Sequence, residues 1–105
     1  MTIPEFIERL KATPRQWCKH GDALRINRPS ATCDCPISAV VRMDVPGANA
    51  TVCYAEPVTV GADVLGMVRE DVQDIIDAAD GYTEDFQGVN KLVELRKQLV
   101  EACGL

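Results

Sequence analysis

The chain has 105 residues, of which 47% are hydrophobic and 26% charged, a composition ordinary for one globular domain. Its net charge of −5 is the sum of +3 for residues 1–43 and −8 for residues 44–105. The negative charge of residues 44–105 disfavours binding to nucleic acid. Because no apolar run approaches about 18 residues and the charged N-terminal stretch does not resemble a secretory signal, we expect a single cytoplasmic domain, residues 1–105.

The first predicted elements are a helix and a β-hairpin. Thr2 and Glu5 have the spacing of a capping box, and apolar residues then recur at helical intervals, which predicts a helix over approximately residues 3–12. These apolar residues are Ile3, Phe6, Ile7 and Leu10. In QWCKHGDALRI, residues 16–26, apolar and polar residues alternate on both sides of a short turn that contains Gly21, a pattern that indicates a hairpin.

A second helix is predicted to begin at Cys35-Pro36 and to end near Met43. Proline is favoured in the first turn of a helix, and the segment DVPGANA that follows contains helix-breaking residues. The apolar residues expected on one face of this helix are Ile37, Val40 and Val41.

Residues 58–79 have the pattern of a helix-turn-helix pair. Ala62 is the small residue expected at the close contact of the two helices, and Gly66 is the turn residue that tolerates positive φ. Val72 and Ile75 are expected on the packed side of the second helix. A final helix is predicted within residues 89–103, and its buried stripe consists of Val89, Leu92, Leu95 (or Arg96), Leu99 and Cys103.

The second helix of this pair carries a set of acidic residues, called the acidic face below. Its members are Glu70, Asp71, Asp74, Asp77 and Asp80. Carboxylates there would repel phosphates, so we do not expect the pair to read DNA. The acidic face is interpreted either as a solvated surface or as a docking surface for a basic partner. Asp77 and Asp80 favour docking, because negative charge near a helix C-terminus is unfavourable without some other benefit.

Four potential zinc ligands occur as two pairs, each separated by one residue. They are Cys18, His20, Cys33 and Cys35. Their number and chemistry suit a tetrahedral zinc site, but ligands of small zinc domains are usually spaced by two to four residues so that both can reach one ion. A zinc-stabilised domain is therefore an alternative hypothesis.

Cys35 permits two further interpretations. At a helix N-terminus its thiolate would be stabilised, and His20 could act as its base, which is the arrangement of a cysteine-dependent enzyme. The sequence shows no glycine-rich oxyanion loop and no third catalytic group. Free cysteine is also among the most commonly buried residue types, and a structural role for Cys35 is the favoured interpretation.

Several short segments, in this order, resemble those of small proteins encoded by bacterial genomes and phages. They are Trp17, Leu24-Arg25, CPISAV from Cys35, ADVLGM from Ala62, IIDAAD from Ile75 and LRKQLVEACGL from Leu95. The resemblance implies a shared fold in which the CPI segment begins a helix, and it implies no activity. A phage or prophage origin would favour an adaptor or an inhibitor directed at a host protein.

The sequence as a whole predicts a mostly helical α+β domain with an N-terminal helix, a small hairpin and a helical cluster. We expect a non-catalytic protein-binding module, with the zinc-stabilised domain as first alternative and the cysteine-dependent enzyme as second. The residues predicted to form the core are Leu10, Trp17, Ile26, Ile37, Val40, Val41, Leu65, Val72, Ile75, Ile76, Leu92, Leu95 and Leu99.

Overall fold

A computed structural model describes residues 1–13, 17–20, 23–27, 33–44, 57–82 and 91–103. These ranges contain five helices and a three-stranded sheet, so the predicted mostly helical class is confirmed. The helices are α1 (Ile3–Lys11), α2 (Pro36–Asp44), α3 (Pro57–Leu65), α4 (Arg69–Asp80) and α5 (Lys91–Ala102). The strands are β1 (Trp17–His20), β2 (Ala23–Asn27) and β3 (Cys33–Asp34). No helix in these ranges is long and apolar enough to cross a membrane.

Helix α1 begins with the predicted capping box. The Thr2 hydroxyl accepts a hydrogen bond from the Glu5 backbone N–H at 3.3 Å, and the Thr2 backbone N–H donates to Glu5 Oε1 at 3.1 Å. The Thr2 backbone N–H, followed by the Thr2 hydroxyl, lowers the pKa of Glu5. The apolar face of α1 buries Phe6, Ile7 and Leu10.

The sheet has β2 at its centre, antiparallel to both neighbours. Ile26 of β2 lies opposite Trp17 of β1 on one side and opposite Asp34 of β3 on the other. Leu24 is only 1% exposed, because β2 lies against α2 and α4. The sheet thus contributes a leucine to a core that is made mainly by helices.

Helix α2 lies at the centre of the molecule. It was predicted to bury one face, but five consecutive residues, 37–41, are at most 1% exposed. The reason is that α2 contacts α1, α3, α4 and the sheet, so that neighbours cover it on several sides. A helix that is apolar over most of its circumference is stable only in such a buried position.

Helices α3 and α4 are joined by a three-residue connection, 66–68. Gly66 has φ of 62°, which confirms its role as a turn residue that adopts a left-handed conformation. The close contact between the helices, however, is one residue away from the predicted Ala62. A Cβ atom built on Gly61 would lie 2.9 Å from Val72 Cγ1 and 3.2 Å from Ile37 Cγ2, whereas Ala62 is half-buried.

Most of the predicted core residues with described side chains are buried. They are Leu10, Ile37, Val40, Val41, Leu65, Val72, Ile75, Leu95 and Leu99. Ile76 and Leu92 are only half-buried, because Ile76 lies beside the buried stripe of α4 and Leu92 lies in the first turn of α5. The side chains of Trp17 and Ile26 fall outside the described residues. Phe6, Leu24 and Met67 are buried although they were not among the predicted core residues.

Candidate functional site

The acidic face lies on α4, and its five carboxylates occupy different environments. Asp74, Asp77 and Asp80 each contact a polar or charged group of the same chain. Glu70 is exposed and Asp71 is half-buried, and in the part of the chain that the structure describes neither forms an ion pair or a hydrogen bond through its side chain. The acidic face is therefore divided between groups that stabilise the fold and groups that remain free there.

Asp80 connects the end of α4 to the sheet. Its Oδ1 atom accepts a hydrogen bond from Arg25 Nη1 at 2.9 Å, and the two side chains are 28% and 24% exposed. The same Arg25 nitrogen donates to the Leu24 carbonyl oxygen at 2.9 Å. This partly buried ion pair joins residues that are 55 positions apart and fixes β2 against α4.

Arg96, from α5, contacts the C-terminus of α4. Its Nη1 atom donates to the carbonyl oxygens of Ala78 and Ala79, at 2.8 Å and 3.0 Å. A cation at this position satisfies terminal carbonyl groups and offsets the negative end of the helix dipole. With Arg25 beside Asp80, the fold itself compensates for the negative charge at this end of α4.

The argument that the positions of Asp77 and Asp80 favour docking is therefore wrong. Asp77 accepts a hydrogen bond from Gln73 Nε2 at 2.9 Å, one helical turn earlier. Both residues have local partners, so neither position indicates an external one. A docking hypothesis has to be supported by the other end of the helix.

Asp74 pairs with Lys91, the first residue of α5. Lys91 Nζ lies 2.7 Å from Asp74 Oδ2, and the two side chains form an ion pair. The contact with Asp74 raises the pKa of Lys91, and the nearby charges of Glu70 and Asp71 raise it further. Three carboxylates in the first half of α4 thus act on one lysine.

Cys35 is the residue before α2, and its sulfur contacts the first turn of that helix. The Ser38 backbone N–H donates to Cys35 Sγ at 3.4 Å, and the Ser38 hydroxyl lies 3.2 Å from the same sulfur. Ser38 is wholly buried, while Cys35 is half-buried. This geometry is that of a helix cap, in which a side chain satisfies a free backbone N–H.

The other predicted zinc ligands lie in the sheet. In the backbone register Cys18 is opposite Arg25, His20 is opposite Ala23 and Cys33 is opposite Asn27. Their side chains are outside the described residues, as is any contact between His20 and Cys35. Among the side chains that are described, no three histidine, cysteine or acidic groups lie close enough together to hold a metal ion.

Cys103 is a second cysteine with a described environment. It follows α5, packs against the core and is half-buried. The sequence predicts Cys103 on the apolar stripe of this helix. Burial raises the pKa of its thiol to about 11, which keeps it protonated and unreactive at neutral pH.

Two surface depressions were not predicted from the sequence. One, of about 390 Å³, is lined by Met1, Pro4, Glu5, Glu8 and Arg9. The other, of about 240 Å³, lies between α1 and α5. The first depression is lined by residues 1–9 alone, whereas the second depends on how α1 packs against α5, which no pattern within one helix indicates. No family model matches the chain, and comparison with curated proteins and with solved structures gave no match either.

Proposed function

We propose that the chain is a non-catalytic protein-binding module whose acidic face binds a partner with a basic surface. The observation that supports this most is the charge balance at the start of α4, where the three carboxylates of Glu70, Asp71 and Asp74 outnumber the two described cations, Arg69 and Lys91. Glu70 and Asp71 have no ionic partner of their own within residues 57–82 and 91–103. Carboxylates without an ionic partner attract and orient a cationic partner.

Glu70 and Asp71 also stabilise α4 itself. They lie in its first turn, where negative charge is favourable, and Val68 provides no side-chain cap there. A stabilising role would by itself account for acids at these two positions. The test of the proposal must therefore measure binding separately from folding.

In this proposal the helix-turn-helix-like pair is a scaffold. Its second helix presents carboxylates, which oppose contact with phosphates, so DNA readout is not part of the proposed function. If the chain is encoded by a phage or prophage, an adaptor or inhibitor directed at a host protein fits this proposal.

Two alternatives place different requirements on the cysteines. A zinc-stabilised domain requires the ligands Cys18, His20, Cys33 and Cys35 to converge on one ion. A cysteine-dependent enzyme requires a reactive Cys35, and the contact of its sulfur with the buried Ser38 instead supports a structural role.

The proposal is tested with a double charge reversal, Glu70→Lys with Asp71→Lys. The matched control is Glu94→Lys with Glu101→Lys, which makes the same change in net charge at two exposed positions of α5. Wild type and both variants are immobilised, and proteins captured from a bacterial extract are compared over a series of salt concentrations, with circular dichroism to verify folding.

We expect a partner that binds wild type and the control but is lost from the α4 variant. Its association should weaken as salt is added. At 0.1 M ionic strength, the attraction between exposed charges more than about 10 Å apart is largely screened. If the α4 variant retains every partner that wild type captures, the acidic face is a solvated surface and the proposal is wrong.

A further inference from the structure

Asp74 of the acidic face already holds a cation from another helix. Its Oδ2 atom lies 2.7 Å from Lys91 Nζ, and this oxygen has almost no surface exposed to solvent. The Asp74 side chain is 17% exposed, whereas the Lys91 side chain is 50% exposed. A cation from outside the molecule therefore cannot reach this oxygen while Lys91 stays in place.

Glu70 and Asp71 lie on the same side of α4 as Asp74. They precede it by four and three residues, the spacings that bring side chains together on the surface of a helix. The pKa of Lys91 is raised by Asp74 and, to a smaller extent, by Glu70 and Asp71. The ammonium group of Lys91 is thus attracted by all three carboxylates.

Lys91 can leave Asp74 at a small cost in free energy. The ion pair lies near the protein surface, where such pairs contribute little stability in water. Lysine also has a long flexible stem, so its ammonium group can move into solvent without a change in α5. Its departure leaves the three carboxylates with one described cation at the start of α4, Arg69, whose Nη1 atom donates to the Thr59 hydroxyl at 3.4 Å. The vacated position then favours another ammonium or guanidinium group.

We propose that Lys91 competes with the partner protein for the acidic face, and that a lysine or arginine side chain of the partner replaces it at Asp74. This inference rests on the proposed function, because it concerns the same face and the same basic partner. A ligand with one cation only exchanges with Lys91, whereas a segment with several closely spaced cations also reaches Glu70 and Asp71. The basic surface of the partner is therefore a cluster of lysine or arginine side chains.

The test measures the affinity of a synthetic lysine-rich peptide by fluorescence anisotropy at low salt. The variant is Lys91→Ala, and the matched control is Lys97→Ala, which removes the same charge from another exposed position of α5. The two positions are about 9 Å apart along the helix axis. Alanine favours a helix at both, and circular dichroism verifies folding. If Lys91→Ala does not fold, Lys91→Gln, which keeps a long polar stem, is measured in its place with the same expectation.

We expect Lys91→Ala to bind the peptide about fivefold more tightly than wild type, because Asp74 is then free for a lysine of the peptide. Lys97→Ala should change the affinity by less than about twofold. In an Asp74→Asn background the advantage of Lys91→Ala over Lys97→Ala should disappear, because the carboxylate for which the two cations compete is absent. This comparison separates an effect through Asp74 from an effect of overall charge.

The outcomes separate the two proposals. If both lysine variants bind the peptide as wild type does, or gain affinity equally, Lys91 does not compete at Asp74 and the inference is overturned. The same conclusion follows if the gain of Lys91→Ala persists in the Asp74→Asn background. In these cases, peptide binding that is lost in the Glu70→Lys with Asp71→Lys variant still supports the proposed function. If the peptide binds none of these proteins, the acidic face does not attract cations and both proposals are wrong.

Discussion

At the scale of single residues, Gly61 and Cys35 have roles set by contacts of a few ångströms. Gly61 allows α3 to approach Val72 and Ile37, both almost fully buried. Cys35 places its sulfur against the Ser38 backbone N–H. In both cases the size or polarity of one side chain determines how the neighbouring helix is positioned.

Gly61→Ala is predicted to destabilise the fold by about 1 kcal/mol, because the overpacking against the stiff Val72 side chain exceeds the gain in helix propensity. Urea unfolding measures the change. The same substitution in a Val72→Ala background should cost little, since the overlapping methyl group is removed. Ala62→Leu, at the half-buried neighbour, should be tolerated, and the packing described for Gly61 is wrong if Ala62→Leu costs more than Gly61→Ala.

Cys35→Ala is predicted to destabilise the protein by about 1 kcal/mol, because it removes the cap of α2 and leaves the buried Ser38 hydroxyl without its sulfur partner. Cys35→Ser supplies a better capping group and should be at least as stable as wild type. Chemical denaturation of both variants distinguishes the two results. Equal stability of Cys35→Ala and wild type would contradict the capping role.

At the scale of elements, α4 has ends of different character. Its N-terminus lacks a side-chain cap and has Glu70 and Asp71 in the first turn. At its C-terminus Gly81, with φ of 93°, ends the helix, and Arg96 and Arg25 supply positive charge. The C-terminal end is held by α5 and β2, whereas the acids at the N-terminal end are more available for binding.

Arg96→Met is predicted to cost about 1 to 2 kcal/mol, because two charge-assisted hydrogen bonds to the end of α4 are lost while much of the apolar stem is retained. Lys97→Met, at the exposed neighbouring position, is the control and should change stability by less than about 0.5 kcal/mol. Thermal unfolding of the two variants gives the comparison. Equal effects would mean that the contact with α4 contributes nothing specific.

At the scale of the whole molecule, α2 is surrounded by α1, α3, α4 and β2. The buried core cluster formed by the described residues consists of apolar side chains, so burial of apolar surface supplies its stability. This bears directly on the zinc alternative, because a domain whose helices enclose a central helix has a core of its own.

Prolonged treatment with EDTA is predicted to leave the thermal midpoint unchanged, since burial of apolar side chains in the described core is expected to stabilise the fold without a metal. The comparison is made on protein purified without added zinc, with elemental analysis before and after chelation. One equivalent of zinc whose removal unfolds the protein would instead establish the zinc-stabilised domain, because metal binding and folding would then be coupled.

The sequence by itself determined the features that depend on residues a few positions apart. The capping box at Thr2 and Glu5, the start of a helix at Pro36 and the positive φ of Gly66 follow from local chemistry, which is why the helices could be predicted. The acidic residues of α4 could be located in the same way. Which of them have a partner elsewhere in the fold could not be predicted from the sequence.

Only the tertiary structure decided which residues meet across the fold. Periodicity predicted a small residue near position 62, but the relative position of α3 and α4 selects Gly61. The sequence shows no local partner for Asp80, because Arg25 is 55 residues away. A helical repeat specifies which residues share a face, whereas the neighbour that covers that face depends on the packing of the whole chain.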